Sequence, residues 1–187
     1  MPQLPIRKTH HLAYGRVSIP GATYFITLVT QNRKTDLTAN DHPEHIADTL
    51  RALHRDKIIN LRCATTMPDH LHLLFVLGEV CYLSLAISKF KNATRKALAA
   101  HSLYWHRNYY DHRIRQEANT NDFARYIFLN PYRKSLLTAD QLWPHWLCNR
   151  TYKPDFQQQL TPNGTPPAAW YKNAPTAQDL IDQDTHP

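Results

Sequence analysis

Apolar positions recur along this chain with two periods. Gly21-Ala22-Thr23-Tyr24-Phe25-Ile26-Thr27-Leu28-Val29-Thr30 follows a Pro-Gly turn and is rich in aromatic and β-branched residues, which predicts a buried strand. Ile58 to Thr66 and His70 to Leu77 predict two more strands, joined by Met67-Pro68-Asp69 into an antiparallel hairpin. Between the first two strands the period changes. Ile46, Leu50 and Leu53 repeat at helical spacing behind the start signal Asn40-Asp41-His42-Pro43, so a helix is expected over residues 43–56. A second helix is expected from Leu83 to Ala100, with Ile87, Phe90, Ala93 and Ala97 as its apolar stripe. Tyr104 to Arg115 is dense in aromatic and basic residues and includes a fourth strand. Asn119-Thr120-Asn121-Asp122 then offers caps for a third helix, which Pro131 should end or kink at Asn130.

The order strand, helix, strand, strand, helix, strand predicts an α+β fold. It is a ferredoxin-like, RRM-like sandwich with an antiparallel sheet and helices on one face. Residues 1–152 form the expected domain. Residues 153–187, punctuated by Pro154, Pro162, Pro166, Pro167 and Pro175, form a C-terminal tail that is partly disordered or lies on the surface. There are no internal repeats.

Composition narrows the function classes. No run approaches the roughly 18–20 apolar residues of a membrane span, and the first residues lack the apolar stretch of a secretory signal. Cys63, Cys81 and Cys148 fit no metal spacing, which favours reduced thiols in a cytosolic compartment. The net charge is +7, yet residues 151–187 carry two basic and four acidic residues, leaving +9 on the body. A body this basic suggests a polyanionic partner, with nucleic acid the first candidate.

The chemistry gathers in two short motifs. His70 and His72 flank Leu71, and alternate side chains on a strand share a face, so the two imidazoles stand side by side. Leu71, Leu73 and Phe75 point the other way. Tyr126 and Asn130, four apart, share one face of the third helix. The Asn130 amide oxygen can coordinate a divalent cation, and the Tyr126 phenol can act as a nucleophile. The residues alone thus describe a metal-assisted tyrosine nucleophile on a basic, aromatic-rich body.

These residues resemble a known family. Met67-Pro68-Asp69-His70-Leu71-His72-Leu73-Leu74, then Trp105 with Tyr110-Asp111-His112 and Ile114-Arg115, then Arg125-Tyr126-Ile127 with Leu129-Asn130-Pro131 are similar to the REP-associated tyrosine transposases. More broadly they resemble the single-tyrosine HUH transposases of insertion sequences. The likeness covers roughly residues 10–150. At the position of Asn130 insertion-sequence relatives commonly carry Gln, and Asn-Pro is the REP-associated form.

The resemblance implies a bacterial, nucleoid-associated enzyme of DNA transposition. It would cut single-stranded DNA beside a hairpin of a repetitive palindromic element and rejoin it through a 5′-phosphotyrosine. It also implies a divalent metal, Mg²⁺ or Mn²⁺, held by His70, His72 and Asn130, with Mn²⁺ better suited to mixed imidazole and carbonyl donors. Either a monomer or a homodimer is compatible with it. Lys89, Lys91, Arg95, Lys96, Arg107, Arg113, Arg115 and Arg133 are expected at phosphates, and Tyr104, Trp105, Tyr109 and Tyr110 at unpaired bases. The alternative is a hairpin-specific DNA-binding protein that does not cut. An RNA-binding sandwich would want exposed aromatics where this sheet carries His70 and His72. Among the other histidines, His112 touches DNA or hydrogen-bonds within the fold, while His10, His11, His42 and His45 are read as surface residues. Trp170 is expected to pack against the body, and Tyr132, beyond the proline, is a decoy.

Overall fold

Five strands form one antiparallel sheet in the order β4-β1-β3-β2-β5: β1 Thr23–Val29, β2 Ile59–Thr66, β3 His70–Leu77, β4 Tyr110–Arg113 and β5 Trp146–Cys148. The computed structural model describes residues 18–172 and 174–185; His10 and His11 lie outside them. The first four strands, with α1 (His42–Arg55) and α2 (Leu83–Ala99), make the expected ferredoxin-like sandwich. Central strands β1 and β3 are buried on both sides, hence their near-continuous apolar sequence.

Helices α1 and α2 cover one face, where Ile46, Leu50, Ile87 and Phe90 pack on Ile26, Leu28, Leu71, Leu73 and Phe75. The other face is not bare. Helix α3 (Thr120–Arg133) lies across it, packing Phe123, Ala124 and Ile127 on Phe25, Cys63 and Leu74. Phe156 and Leu180, from beyond β5, add to this second layer in the same cluster. The expectation of helices on one face therefore describes α1 and α2, and α3 occupies the opposite side. An open, aromatic RNA-binding sheet is thereby excluded on that face.

Three local expectations change. Helix α3 does not stop at Asn130 but continues through Pro131 to Arg133. Burial of Leu129, Asn130, Pro131 and Tyr132 in its last turn outweighs the hydrogen bond the proline cannot donate. On α2, Ala93 is exposed and Thr94 is buried instead. The Thr94 hydroxyl donates to the Phe90 carbonyl (3.1 Å) and accepts the Trp105 indole N–H (2.9 Å), so its polarity is satisfied. His42 is fully buried, its Nε2 3.0 Å from His101 Nδ1 and its Nδ1 3.0 Å from the Asp36 carbonyl, while His45 is exposed. Tyr132 is buried with its hydroxyl donating to the Gln141 carbonyl at 2.9 Å.

The C-terminal helix α5 (Ala177–Thr185), which follows the short α4 (Ala169–Lys172), anchors the approach to α3. Asp184 is buried and accepts from the backbone N–H of Arg115 (2.9 Å) and Gln116 (3.1 Å) and from Asn119 Nδ2 (3.0 Å). His112 Nε2 lies 2.8 Å from the same carboxylate, which places this histidine within the fold. Burial opposes ionisation of Asp184, but these donors outweigh it and hold its pKa below the ordinary value. Its folded-state pKa being depressed, its stabilisation is present above the unfolded value of about 3.9 and is lost as pH falls through the folded value. Asp184→Ala is expected to cost about 3 kcal/mol, roughly 6–12 °C in Tm at neutral pH. In acid-titrated thermal melts the gap from wild type should close below about pH 4.

Candidate active site

The sheet register sets out the site one row at a time. Directly opposed residues on antiparallel strands share a face. Tyr110, Thr27, His72, Thr65 and Trp146 form one such row, and His70 pairs with Val29 toward the end of β1. Both histidines are buried on the α3 side. Their Nε2 atoms face each other at 3.1 Å, with ring centres 4.6 Å apart.

Each imidazole is held from behind. His70 Nδ1 lies 2.6 Å from Asp69 Oδ1 and donates there, which turns its Nε2 toward His72. Asp69 is in turn paired with Arg33 at 2.9 Å. The His70 hydrogen bond, with help from Arg33 and against burial, holds the Asp69 carboxyl well below the carboxylate range. His72 Nδ1 is 3.0 Å from the Thr27 hydroxyl. Burial above all, with the neighbouring His70 and Arg133, pushes the His72 pKa down, so this ring stays neutral. Neutral, oriented imidazoles are the form that binds metals, and a carboxylate behind one ligand is a common support. On the same row the buried Thr65 hydroxyl has no hydrogen-bond partner among the described residues. The described residues hold no group of three His, Cys, Asp or Glu side chains placed for an ion. Among the described residues, a further ligand would be of another type, such as an amide.

Tyr126 approaches this pair from α3. Its ring meets His72 edge-on with centres 5.4 Å apart and Phe25 at 5.8 Å. The Arg133 guanidinium lies 5.2 Å from the ring centre. One helical turn on, the buried Asn130 stands on the same face of α3 as Tyr126. Burial raises the Tyr126 pKa, while Asn130 and Arg133 act in the opposite direction by favouring the phenolate. Phe25, His72 and Arg133 thus hold the ring beside the buried imidazole pair.

The other residues singled out from sequence are scattered. Lys89, Arg95 and Lys96 are exposed on α2, across the sheet from Tyr126. Lys91 is engaged internally, its ammonium donating to the carbonyls of His106 (2.9 Å) and Arg107 (3.1 Å). Trp105 spends its indole N–H on Thr94 and packs on Phe90. Tyr109 is buried, Tyr110 half-buried and Tyr104 exposed. Arg107, Arg113 and Arg115 are exposed on the stretch around β4, and Arg133 is the one basic residue of the set placed over Tyr126. Lys91, Arg95, Tyr104, Trp105 and Arg107 line one groove. That groove adjoins the His70 end of the sheet, because His106 N–H donates to the Val29 carbonyl and Gln31 N–H to that of Tyr104. Sequence reasoning missed Asp69, Thr27 and Phe25 as supports. Asp69 borders His70 directly, but the Thr27 and Phe25 roles depend on strand register, which only the fold supplies.

The IS200-like transposase family matches residues 18–130, which span β1 to Asn130 and so include both histidines and Tyr126. The REP-associated tyrosine transposase of Escherichia coli K12 is 23% identical over 133 residues, 70% of this chain and 79% of the relative. A Haemophilus influenzae protein described as a putative REP-associated tyrosine transposase is 24% identical over 156 residues, 75% of this chain and 87% of the relative. A solved REP-associated tyrosine transposase bound to a REP hairpin superposes with a TM-score of 0.65 at 22% identity, covering 87% of this chain and 96% of that one. The antiparallel sheet, its helices and the matched segment agree, and the chain belongs to the IS200-like transposase family, with distant homology to the REP-associated tyrosine transposases.

Proposed function

We propose that this chain cuts and rejoins single-stranded DNA beside a hairpin, with Tyr126 as nucleophile. The observation that carries the reading is the seating of the Tyr126 ring 5.4 Å from His72, within a buried imidazole pair whose Nε2 atoms converge. Tyr126 Oη attacks the scissile phosphorus, an O–P bond forms, and the bond from phosphorus to the 3′ oxygen breaks. The departing oxygen takes a proton, leaving a free 3′-hydroxyl and a 5′-phosphotyrosine. Attack by another 3′-hydroxyl reverses the step and releases Tyr126. The phosphodiester energy is kept in the tyrosyl bond, so no nucleotide cofactor is required.

The residues present fit a divalent metal, since both Nε2 atoms are buried, oriented and convergent, and Asp69 supports one of them. His70, His72 and the Asn130 amide would hold Mn²⁺ or Mg²⁺. Such an ion supplies charge neutralisation at the phosphoryl oxygens. Asn130 and Arg133 stabilise the phenolate, and Phe25 and His72 keep the ring in one orientation. Asp69→Asn keeps the size of the support but loses its charge and the pairing with Arg33. Manganese affinity, read by calorimetry, is expected to fall about 10–100-fold while the fold is retained.

The solved relative is bound to a REP hairpin, which makes hairpin DNA the first ligand to try here. A duplex stem in the groove of Arg95, Tyr104 and Arg107 would send its single-stranded flank past the ends of β1 and β3 to Tyr126. To test the function, the protein is incubated with Mn²⁺ and a hairpin oligonucleotide carrying single-stranded flanks. A denaturant-resistant protein–DNA adduct on the peptide containing Tyr126 is expected. Hairpin binding without any adduct would favour the non-cleaving alternative.

A further inference from the structure

A second cleft lies on the far side of Tyr126 from the histidines. Asp122, Arg125, Tyr126 and Leu129 stand at i, i+3, i+4 and i+7, so one stripe of α3 forms its floor. Trp170 and Pro175 close it from the C-terminal segment. The Arg125 guanidinium lies over one face of the Trp170 ring, 4.1 Å from its centre, and holds the indole in place at the cleft.

Size and chemistry limit what can enter. The cleft holds about 260 Å³, just under the roughly 300 Å³ at which sites for drug-sized ligands begin. One planar ring system fits, not a duplex. Asp122 would repel a phosphate, and the Arg125 charge is already directed at Trp170. A neutral, planar ligand with hydrogen-bond donors on its edge meets every wall. The base next to an attacked phosphate is such a ligand, and its sugar tethers it beside Tyr126.

We infer that this cleft takes the unpaired base flanking the scissile phosphate, stacked on Trp170 and read by Asp122. This rests on Tyr126 being the nucleophile. Stacking on an aromatic wall accepts any base, but a carboxylate is an acceptor and selects by donors. Guanine presents two adjacent donors, N1–H and N2–H, whereas thymine presents one donor between two carbonyls. Guanine is therefore favoured over thymine at this position by roughly tenfold, the range of a good two-point base contact.

The test uses a hairpin oligonucleotide with 2-aminopurine placed in turn at each flank position, bound to the full chain carrying Tyr126→Phe. Fluorescence at one position should be quenched, the quench should vanish when Trp170→Ala is added, and it should survive with Trp170→Phe. On the otherwise native chain, Asp122→Asn should lower the guanine-over-thymine preference in adduct formation by about tenfold with little change in hairpin affinity. Quenching that ignores Trp170, or a base preference that ignores Asp122, overturns the inference. Should Trp170→Ala not fold, the Asp122→Asn preference alone decides. Absence of adducts in the native chain counts against the nucleophile, whereas the 2-aminopurine signal reports the cleft independently, so the two failures are told apart.

Discussion

Tyr126→Phe is expected to eliminate the covalent protein–DNA adduct and to lower strand cleavage by at least about 10⁴-fold, the scale seen when a covalent nucleophile is deleted. The substitution removes one oxygen and leaves the ring contacts with His72 and Phe25. Removing one hydroxyl from this half-buried ring costs about 1 kcal/mol of stability. The protein should therefore fold and bind a hairpin oligonucleotide within about threefold of wild type. Adduct yield on denaturing gels and hairpin affinity by fluorescence anisotropy separate chemistry from binding. Tyr132 is no substitute nucleophile, since its hydroxyl is buried against the Gln141 carbonyl. Undiminished adduct formation in Tyr126→Phe would falsify the assignment.

The parts of this molecule written in local periods were legible without coordinates. The runs Ile58 to Thr66 and His70 to Leu77, joined by Met67-Pro68-Asp69, set the hairpin, and i+4 spacing put Tyr126 and Asn130 on one face. What escaped depends on partners far along the chain. The four donors to Asp184 come from 65–72 residues upstream, and no local pattern marks one aspartate in a polar tail. His42 was read as a surface residue because its partner His101 is 59 positions away.

Two further features depend on packing that no local pattern shows. Pro131 carries a local penalty that burial of its neighbours overrides. Lys91 and Trp105 look like nucleic-acid contacts by type, yet the loop after α2 folds back and uses their hydrogen bonds. Which face of the sheet α3 covers was equally invisible, because it follows from the path of residues 101–119. That path matters to function. It places the basic outer face of α2 and Tyr126 on opposite layers, so under the proposed function a bound hairpin and the strand to be cut would meet at the end of the sheet where Val29 pairs with His70.

His70→Ala and His72→Ala are expected to remove the response of the protein to Mn²⁺. At about 100 times its dissociation constant a ligand adds roughly 2.7 kcal/mol to stability. For a chain of this size that is roughly 5–11 °C in Tm. Wild type should show this upward shift without any DNA present, and neither variant should. The control is the manganese-free melt. His72→Ala opens a buried space and strands the Thr27 hydroxyl, so its starting Tm should be lower by an amount worth about 2 kcal/mol. His70→Ala frees Asp69, whose charge Arg33 still meets, and should cost less. Both variants should lose adduct formation by about 10³-fold even though Tyr126 is intact. A manganese shift that persists in both variants would relocate the ion, and the converging Nε2 atoms would then be two imidazoles sharing one proton at 3.1 Å.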